Sequence, residues 1–369
     1  MQEYLTKQIL TYMGNKRKLL SNIEDILVFI QTELNQEFLS IGEGFSGSGI
    51  VSRLLKQYAS ELWTNDLANY ACTLNQCYLA HPNSNSREKI KTYIQQANTF
   101  ATAKTPLVPA FIQKYWAPKT KNITIDDRVY FSRENARRID RYRHFIETIP
   151  TQSIKPFLLA PLLVKCSMHN NTNGNFSGFY KNNGIGAFGG KKQIDLKRIL
   201  GTISLDIPLF SPRTCPTKVS QRDTNAWIKE IPPLDLIYYD PPYNKHPYHI
   251  YYFLLDIINK WDIHTEIPPT YRGQPKNWNQ SAYNSSKNAE NALNELIQHT
   301  KAKYILLSYN SGGIISLQNL QKILERKGIV TKIPIEHKTY NRMKGIANYK
   351  RTTKKPKIEE FLWLIKCTS

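Results

Sequence analysis

Cysteine is scarce: there are five in 369 residues, Cys72, Cys77, Cys166, Cys215 and Cys367, with no C-x-x-C pair and an odd count. That pattern argues against a structural zinc site and against a disulfide framework, and it fits a reducing compartment. No apolar run reaches bilayer-spanning length, and the polar N-terminus lacks the apolar core of a signal peptide. A cytoplasmic chain with no membrane partner is therefore expected. Acidic residues are also few, 29 against 50 Lys and Arg, giving a formal charge of +21. This excess is spread along the chain and points to a polyanionic partner, because neutralising phosphates releases condensed counterions. The sequence shows no metal-ligating cluster, no nuclease-like set of carboxylates with a lysine, and no evident general base. It also lacks G-x-G-x-x-G, which argues against a nicotinamide enzyme.

What is present is α/β texture at both ends. Apolar spacing predicts a helix from Arg17 to about Thr32, a buried strand over Phe38–Ile41, a helix over Ile50–Tyr58 and a second strand over Leu62–Asp66. That is the length of a right-handed βαβ crossover. The texture returns at 234 with a strand to Tyr239, a helix from about Tyr252 to Lys260, a strand over Tyr304–Ser308, a helix over Gln318–Lys327 and a closing strand over Glu360–Ile365. Such alternation implies a Rossmann-like, mostly parallel sheet covered by helices on both faces. Between these parts, residues 84–212 are rich in Asn, Gln, Lys and Arg with interleaved aromatics. They are expected to form an inserted module, with a helix or buried strand over Ile154–Met168 and a hairpin within the glycine-rich stretch Asn173–Gly190. Residues 1–83 and 213–369 would then make one domain. The densest charge run is Lys350–Lys357.

The sharpest motif is Asp240-Pro241-Pro242-Tyr243, directly after the apolar strand Leu234–Tyr239. Ligands of open parallel sheets bind at the carboxyl ends of strands, where these residues fall. An exocyclic amine on a nucleobase is a poor nucleophile because its lone pair is delocalised into the ring. The Asp240 carboxylate and the Pro241 carbonyl each accept one of its N–H bonds, which favours a pyramidal nitrogen and stabilises the charge that develops on it. The two prolines stiffen the turn, and Tyr243 offers an aromatic face for stacking a base taken out of a duplex. Upstream, Glu43-Gly44-Phe45-Ser46-Gly47-Ser48-Gly49 forms a loop between strand and helix, and its glycines permit close passage of a nucleoside. Asp66, at the end of the next strand, is placed to accept from a ribose diol or to cap the following helix, roles that can coexist. Thr11–Lys16 leads into the first helix, with Asn15 a candidate cap.

Together these residues resemble the Dam-like, D12-class DNA adenine-N6 methyltransferases over about the first 75 residues and from about 220 to the end. The resemblance implies S-adenosylmethionine as cofactor and double-stranded DNA as partner. It assigns cofactor contacts to Tyr12, Gly14 and Lys16, to Glu43, Phe45, Gly47 and Gly49 of the loop, and to Asp66 and Asp240. The catalytic tetrapeptide matches at all four positions, while Gly44 replaces a proline. Tyr248 and Tyr252–Leu255 look like the family's aromatic helix start, and Asn341–Gly345, preceded by Tyr340, is similar to its late Y-x-R-x-K-G segment. Asp223-Thr224 stands where the family often has Asp-Phe. In the insert, Asn173–Gly178 is similar to a hairpin that such enzymes place against DNA, with Lys181, Lys191 and Lys192 as DNA-binding candidates beside it. If the enzyme belongs to a restriction-modification system, the nuclease is expected to be another chain. Two alternatives stand beside this reading: methylation of cytosine N4 or RNA adenine, and a nucleic-acid-binding protein that has lost catalysis.

Overall fold

In a computed structural model the described residues are 2–105, 109–245, 247–276, 280–335 and 359–368. The chain first forms β1 (Leu39–Glu43) and β2 (Ala59–Asn65), paired in parallel and joined by the helix Ile50–Tyr58. A two-stranded hairpin follows in the segment 84–212, β3 (Lys181–Asn182) with β4 (Ile185–Gly186). The remaining strands are β5 (Thr217–Ser220), β6 (Leu234–Tyr239), β7 (Ala302–Asn310), β8 (Gly328–Ile335) and β9 (Glu360–Cys367).

Seven of these make one sheet in the order β5-β2-β1-β6-β7-β9-β8. It is parallel except for β9, which runs antiparallel between β7 and β8. β6 is buried at every position, as expected of a strand covered on both faces, and its one charged residue, Asp235, accepts from Ser40 N–H at 2.8 Å. Successive residues serve opposite cores: Leu236 and Tyr304 pack with Leu27, Ile30 and Leu54, while Ile237 and Ile305 pack with Trp227, Leu293 and Leu320. From β1 the chain crosses to β2 on one side, and β6 flanks β1 on the other. The switch point between β1 and β6 opens a crevice at their carboxyl ends.

The segment 84–212 is mainly helical, with long helices Ser84–Thr102, Arg133–Thr148 and Pro156–Met168. Their buried residues, among them Ile94, Ile139 and Leu162, share one hydrophobic cluster with Tyr70 and Leu74 of the Asn69–Tyr78 helix. The same cluster takes in Phe253 and Leu254 of the Tyr248–Lys260 helix.

Several expectations need adjustment. The helix expected from Arg17 begins as a 3-10 turn, Lys16–Leu19, followed by Leu20–Leu34, and a short helix, Gln2–Thr6, precedes it. The helix after the tetrapeptide begins at Tyr248, a turn earlier than expected, because Pro247 sits at its N-cap with φ −60°. A hairpin does lie within Asn173–Gly190, but its strands are Lys181–Gly186, not Asn173–Gly178. Its turn is Asn183-Gly184, both at positive φ, the pair favoured in two-residue hairpins. The Asn173–Gly178 stretch is pinned instead: Asn175 Oδ1 accepts from Ser177 N–H at 2.9 Å, and Phe176 N–H donates to Tyr251 O at 2.7 Å. All five cysteines are free thiols. Among the described residues, no helix is long and apolar enough to cross a membrane. The Tyr340–Gly345 and Lys350–Lys357 segments lie outside the described residues.

Candidate active site

Three adjacent strands end in acids around one cleft: Glu43 on β1, Asp66 just past β2 and Asp240 just past β6. The cleft contains about 1310 Å³ of empty space counted out to open solvent. Its walls include Tyr12, Gly14, Lys16, Phe45, Gly47 and Pro242.

The glycine loop is shaped by its neighbours. Gly47 and Gly49 sit at φ +50° and +74°, and a side chain on Gly47 would come 3.1 Å from the Tyr12 ring, on Gly49 2.5 Å from Asn75 Oδ1. Asp66 fastens this loop: its Oδ2 accepts from Gly47 N–H at 2.7 Å and its Oδ1 from Ala68 N–H at 2.8 Å. The helix Asn69–Tyr78 has no side-chain cap, so Asp66 bonds to the residue before that helix and does not itself cap it. Asn15 does act as a cap, accepting from Arg17 N–H at 2.8 Å. Asp223 caps the short helix Thr224–Trp227 and also lines the cleft.

Lys16 is buried and ion-paired with Asp240 Oδ1 at 3.2 Å, and it donates a hydrogen bond to Glu360 on β9. Burial alone would lower its pKa, but the Asp240 and Glu360 charges outweigh burial and hold the ammonium well above its ordinary range. Burial pushes Asp240 up to about 6 against the pull of Lys16, with Glu360 adding to the rise. Asp66 also rises to about 6 through burial, held there against its backbone bonds. Glu43, buried and bonded by Ser52 Oγ, is pushed up to about 8 by burial, with Asp66 and Asp240 adding repulsion. The tetrapeptide's own carboxylate is thus raised above its ordinary range by its surroundings, which the sequence did not show.

Tyr12, Tyr248 and Tyr252 form a cluster of near-parallel rings, with Tyr12 5.2 Å from Tyr248 and 4.6 Å from Tyr252, and Tyr252 Oη accepts from Met13 N–H at 2.6 Å, which fixes the loop beside it. Phe45 packs edge-on against Tyr283. Gly14, at φ +73°, leaves room for the Tyr243 and Tyr248 hydroxyls, each 3.1 Å from where a side chain would begin. Pro241 is buried. The Tyr243 ring lies edge-on to Tyr309 with Lys16 Nζ 5.7 Å from its centre, and its carbonyl accepts from Ile314 N–H at 2.9 Å.

Sequence reasoning missed Asp256 and His249, which pair at 3.3 Å on the cleft wall. Asp256 Oδ1 and Ser46 Oγ are buried there without hydrogen-bond partners. The signal for Asp256 was an acid on the buried face of an otherwise apolar helix. Away from the cleft, Lys191 and Lys192 are exposed on the 3-10 turn Gly190–Lys192, and Lys181 is exposed with its ammonium 4.1 Å over the Tyr271 ring. Among the described residues no group of His, Cys, Asp and Glu is arranged to hold a metal ion.

A mostly parallel sheet with a glycine loop and an Asp-Pro-Pro-Tyr turn facing each other across its switch point is the framework of a Rossmann-like methyltransferase. The chain belongs to the D12 class of N6 adenine-specific DNA methyltransferases, whose family model matches residues 12–323. It is similar to the type II methyltransferase M.NlaIII of Neisseria lactamica, 28% identical over 97% of this chain and 100% of that one. It is also similar to the type II methyltransferase M.CviAII of Paramecium bursaria Chlorella virus 1, 24% identical over 96% and 97%. The type II methyltransferase M.FokI of Planomicrobium okeanokoites is 25% identical over 90% of this chain, which spans about half (50%) of that protein. The family and fold expected from the sequence are therefore borne out, and the chain is an adenine-specific enzyme acting on DNA. The cytosine-N4, RNA and non-catalytic alternatives give way to it.

Proposed function

We propose that the chain binds S-adenosylmethionine in the β1–β2–β6 cleft and methylates N6 of an adenine extruded from duplex DNA at a specific sequence. One observation carries this reading: a chain of net charge +21 gathers Glu43, Asp66 and Asp240 around a single cleft. Crowding and burial push all three toward protonation, Glu43 up to about 8, which leaves Asp66 and Asp240 as the carboxylates at neutral pH and favours a cationic occupant. Lys16 supplies one cation, and a sulfonium cofactor supplies another.

The residues present fit that cofactor. Gly47 and Gly49 keep the loop backbone open where a side chain would collide, and Ser46 Oγ and Asp256 Oδ1 are buried acceptors that await hydroxyl or N–H donors. Both Asp66 oxygens already hold backbone N–H groups, so its further capacity as an acceptor lies in its remaining lone pairs. Tyr12 and Phe45 supply aromatic walls. When bound, the cofactor supplies an electrophilic methyl group.

The chain's own residues do the rest. Asp240 and the Pro241 carbonyl accept the two N–H bonds of the adenine amine and orient its lone pair. Tyr243 and Pro242 limit the position of the base. As positive charge grows on N6, the Asp240 carboxylate stabilises it, and with a pKa near 6 it is suited to take the proton that N6 releases. Lys181, Lys191 and Lys192 contact phosphates, and the insert reads the sequence. By analogy with its type II relatives, the enzyme protects sites from a nuclease carried on another chain. Calorimetric titration of S-adenosylmethionine, followed by base-resolved mapping of methylated DNA from expressing cells, tests the reading. Saturable binding with N6-methyladenine in one sequence context is expected, and its absence in active protein would overturn it.

A further inference from the structure

The acceptor at the heart of the site is not fully bonded. Asp240 Oδ1 is buried and has no well-aligned hydrogen bond, although Lys16 Nζ lies 3.2 Å away. The reason is on the far side of the lysine. Lys16 is anchored at the start of a 3-10 turn with little room to turn, and its ammonium donates a hydrogen bond to Glu360. Glu360 begins β9, and its Oε1 also lies 3.5 Å from Ser308 Oγ of the neighbouring strand β7.

Accepting that Asp240 takes the adenine amine, we infer that Glu360 is a positioning residue for methyl transfer: it holds Lys16 aside, so that Asp240 Oδ1 stays charged but under-bonded until the amine arrives. The lysine so held serves two ends. It keeps enough positive charge near Asp240 for the carboxylate to survive burial, yet it does not occupy the lone pair that the substrate needs. Without Glu360, Lys16 would settle onto Asp240, and the amine would have to displace a buried ion pair to bind. Glu360 never touches substrate. It acts through its hold on Lys16 and its charge near Asp240, and it lies far along the chain from the tetrapeptide, on a strand that no motif marks.

The test is a cycle of Glu360→Gln and Lys16→Met, assayed on unmethylated DNA carrying the mapped target site. Glu360→Gln is expected to lower kcat roughly tenfold, with KM for cofactor and DNA changed by less than about twofold. It also removes a negative charge from a cluster in which Lys16, Glu43, Tyr238, Tyr243 and Tyr248 face Asp240. The acidic limb of the kcat–pH profile should therefore move to lower pH by roughly half a unit or more. In the Lys16→Met background the same change should have little further effect on kcat.

A second readout does not depend on turnover: protons exchanged when S-adenosylmethionine binds, measured calorimetrically in buffers of different ionisation enthalpy, should differ between wild type and Glu360→Gln. If Glu360→Gln is too unstable to assay, Glu360→Asp, which keeps the charge but withdraws it by one methylene, should lower kcat with the proton count largely preserved. Unchanged kcat and pH profile in Glu360→Gln would overturn the inference. So would a parallel loss of kcat, cofactor affinity and melting temperature without a pH shift, the mark of a purely structural role. Asp240→Asn separates the two levels: full activity in that variant would refute the acceptor reading itself, whatever Glu360 does.

Discussion

Asp66 holds the Gly47 amide: an acid at the end of β2 accepts, at 2.7 Å, from the loop that leaves β1. Two strand ends are thereby tied into one wall of the cleft, and the acid's second oxygen is spent on Ala68 N–H.

Asp66→Ala should therefore weaken S-adenosylmethionine binding chiefly by loosening the glycine loop. Two charge-assisted bonds to backbone N–H disappear, each worth about 1.5–3 kcal/mol, so a rise in Kd of at least roughly tenfold is expected. Asp66→Asn retains acceptor capacity and should lose less. Calorimetry on both variants distinguishes these outcomes, and equal affinity in wild type and Asp66→Ala would remove the tie from any role in binding.

Asp240→Ala should cut kcat by on the order of 100-fold or more, since it removes the acceptor for charge developing on N6. DNA affinity should survive, because the exposed lysines of the insert lie elsewhere. Single-turnover kinetics beside a DNA-binding isotherm measure the two separately.

Glu43→Gln should stabilise the free protein increasingly as pH rises. Its folded pKa of about 8 stands above the ordinary 4.5, so the folded state holds a proton that the unfolded state gives up between those values. Unfolding stability of the wild type then falls with rising pH, at a slope of up to about 1.4 kcal/mol per pH unit from this group. Asp66 and Asp240 add slopes of the same sign, but only up to about pH 6. Asp140, raised to about 7, adds to the slope up to that pH, so urea denaturation from just above pH 7 up to about 8 isolates Glu43: the wild-type midpoint should fall there relative to the Gln variant. Parallel curves would mean that Glu43 is ionised throughout.

Replacing Lys191 and Lys192 with Ala should weaken binding to all DNA sequences alike. The dependence of log affinity on log salt should flatten by about one unit for each phosphate that is no longer neutralised. Titrations at several salt concentrations, on target and non-target duplexes, test this. A weakening confined to the target sequence would make these lysines base readers.

The catalytic half was legible because its strands obey simple patterns. Leu234–Tyr239 is a strand at the residues its apolar run predicts, and Ile50–Tyr58 is a helix as its spacing predicts. The tetrapeptide, the glycine loop and Asp66 could be brought to one cleft from their order along the sheet alone. What stayed hidden depended on distant partners. Nothing local to Lys16 foretells Glu360, 344 positions away in the chain. The edge strand Thr217–Ser220 has only four residues and no buried face to pattern it. The insert's helices were obscured by polar residues that turn out to be buried and bonded inside them, such as Asp140, whose carboxylate accepts from Ile112 and Gln113 N–H. The hairpin did carry a signal, Asn183-Gly184, overshadowed by the richer glycine stretch before it.

The hydrophobic cluster that joins Tyr70 and Phe253 to Leu162 runs across both ends of the segment 84–212. A genetic exchange cut at those ends would leave each half of that cluster to find complementary neighbours in a foreign partner. Recombination between such enzymes would then succeed where the crossover carries the helices Asn69–Tyr78 and Tyr248–Lys260 along with the insert, and these helices also wall the cleft. Descent of the segment 84–212 in this lineage is thus bound mechanically to descent of the catalytic pocket: a foreign version of the segment packs only when it brings the helices walling the cleft with it.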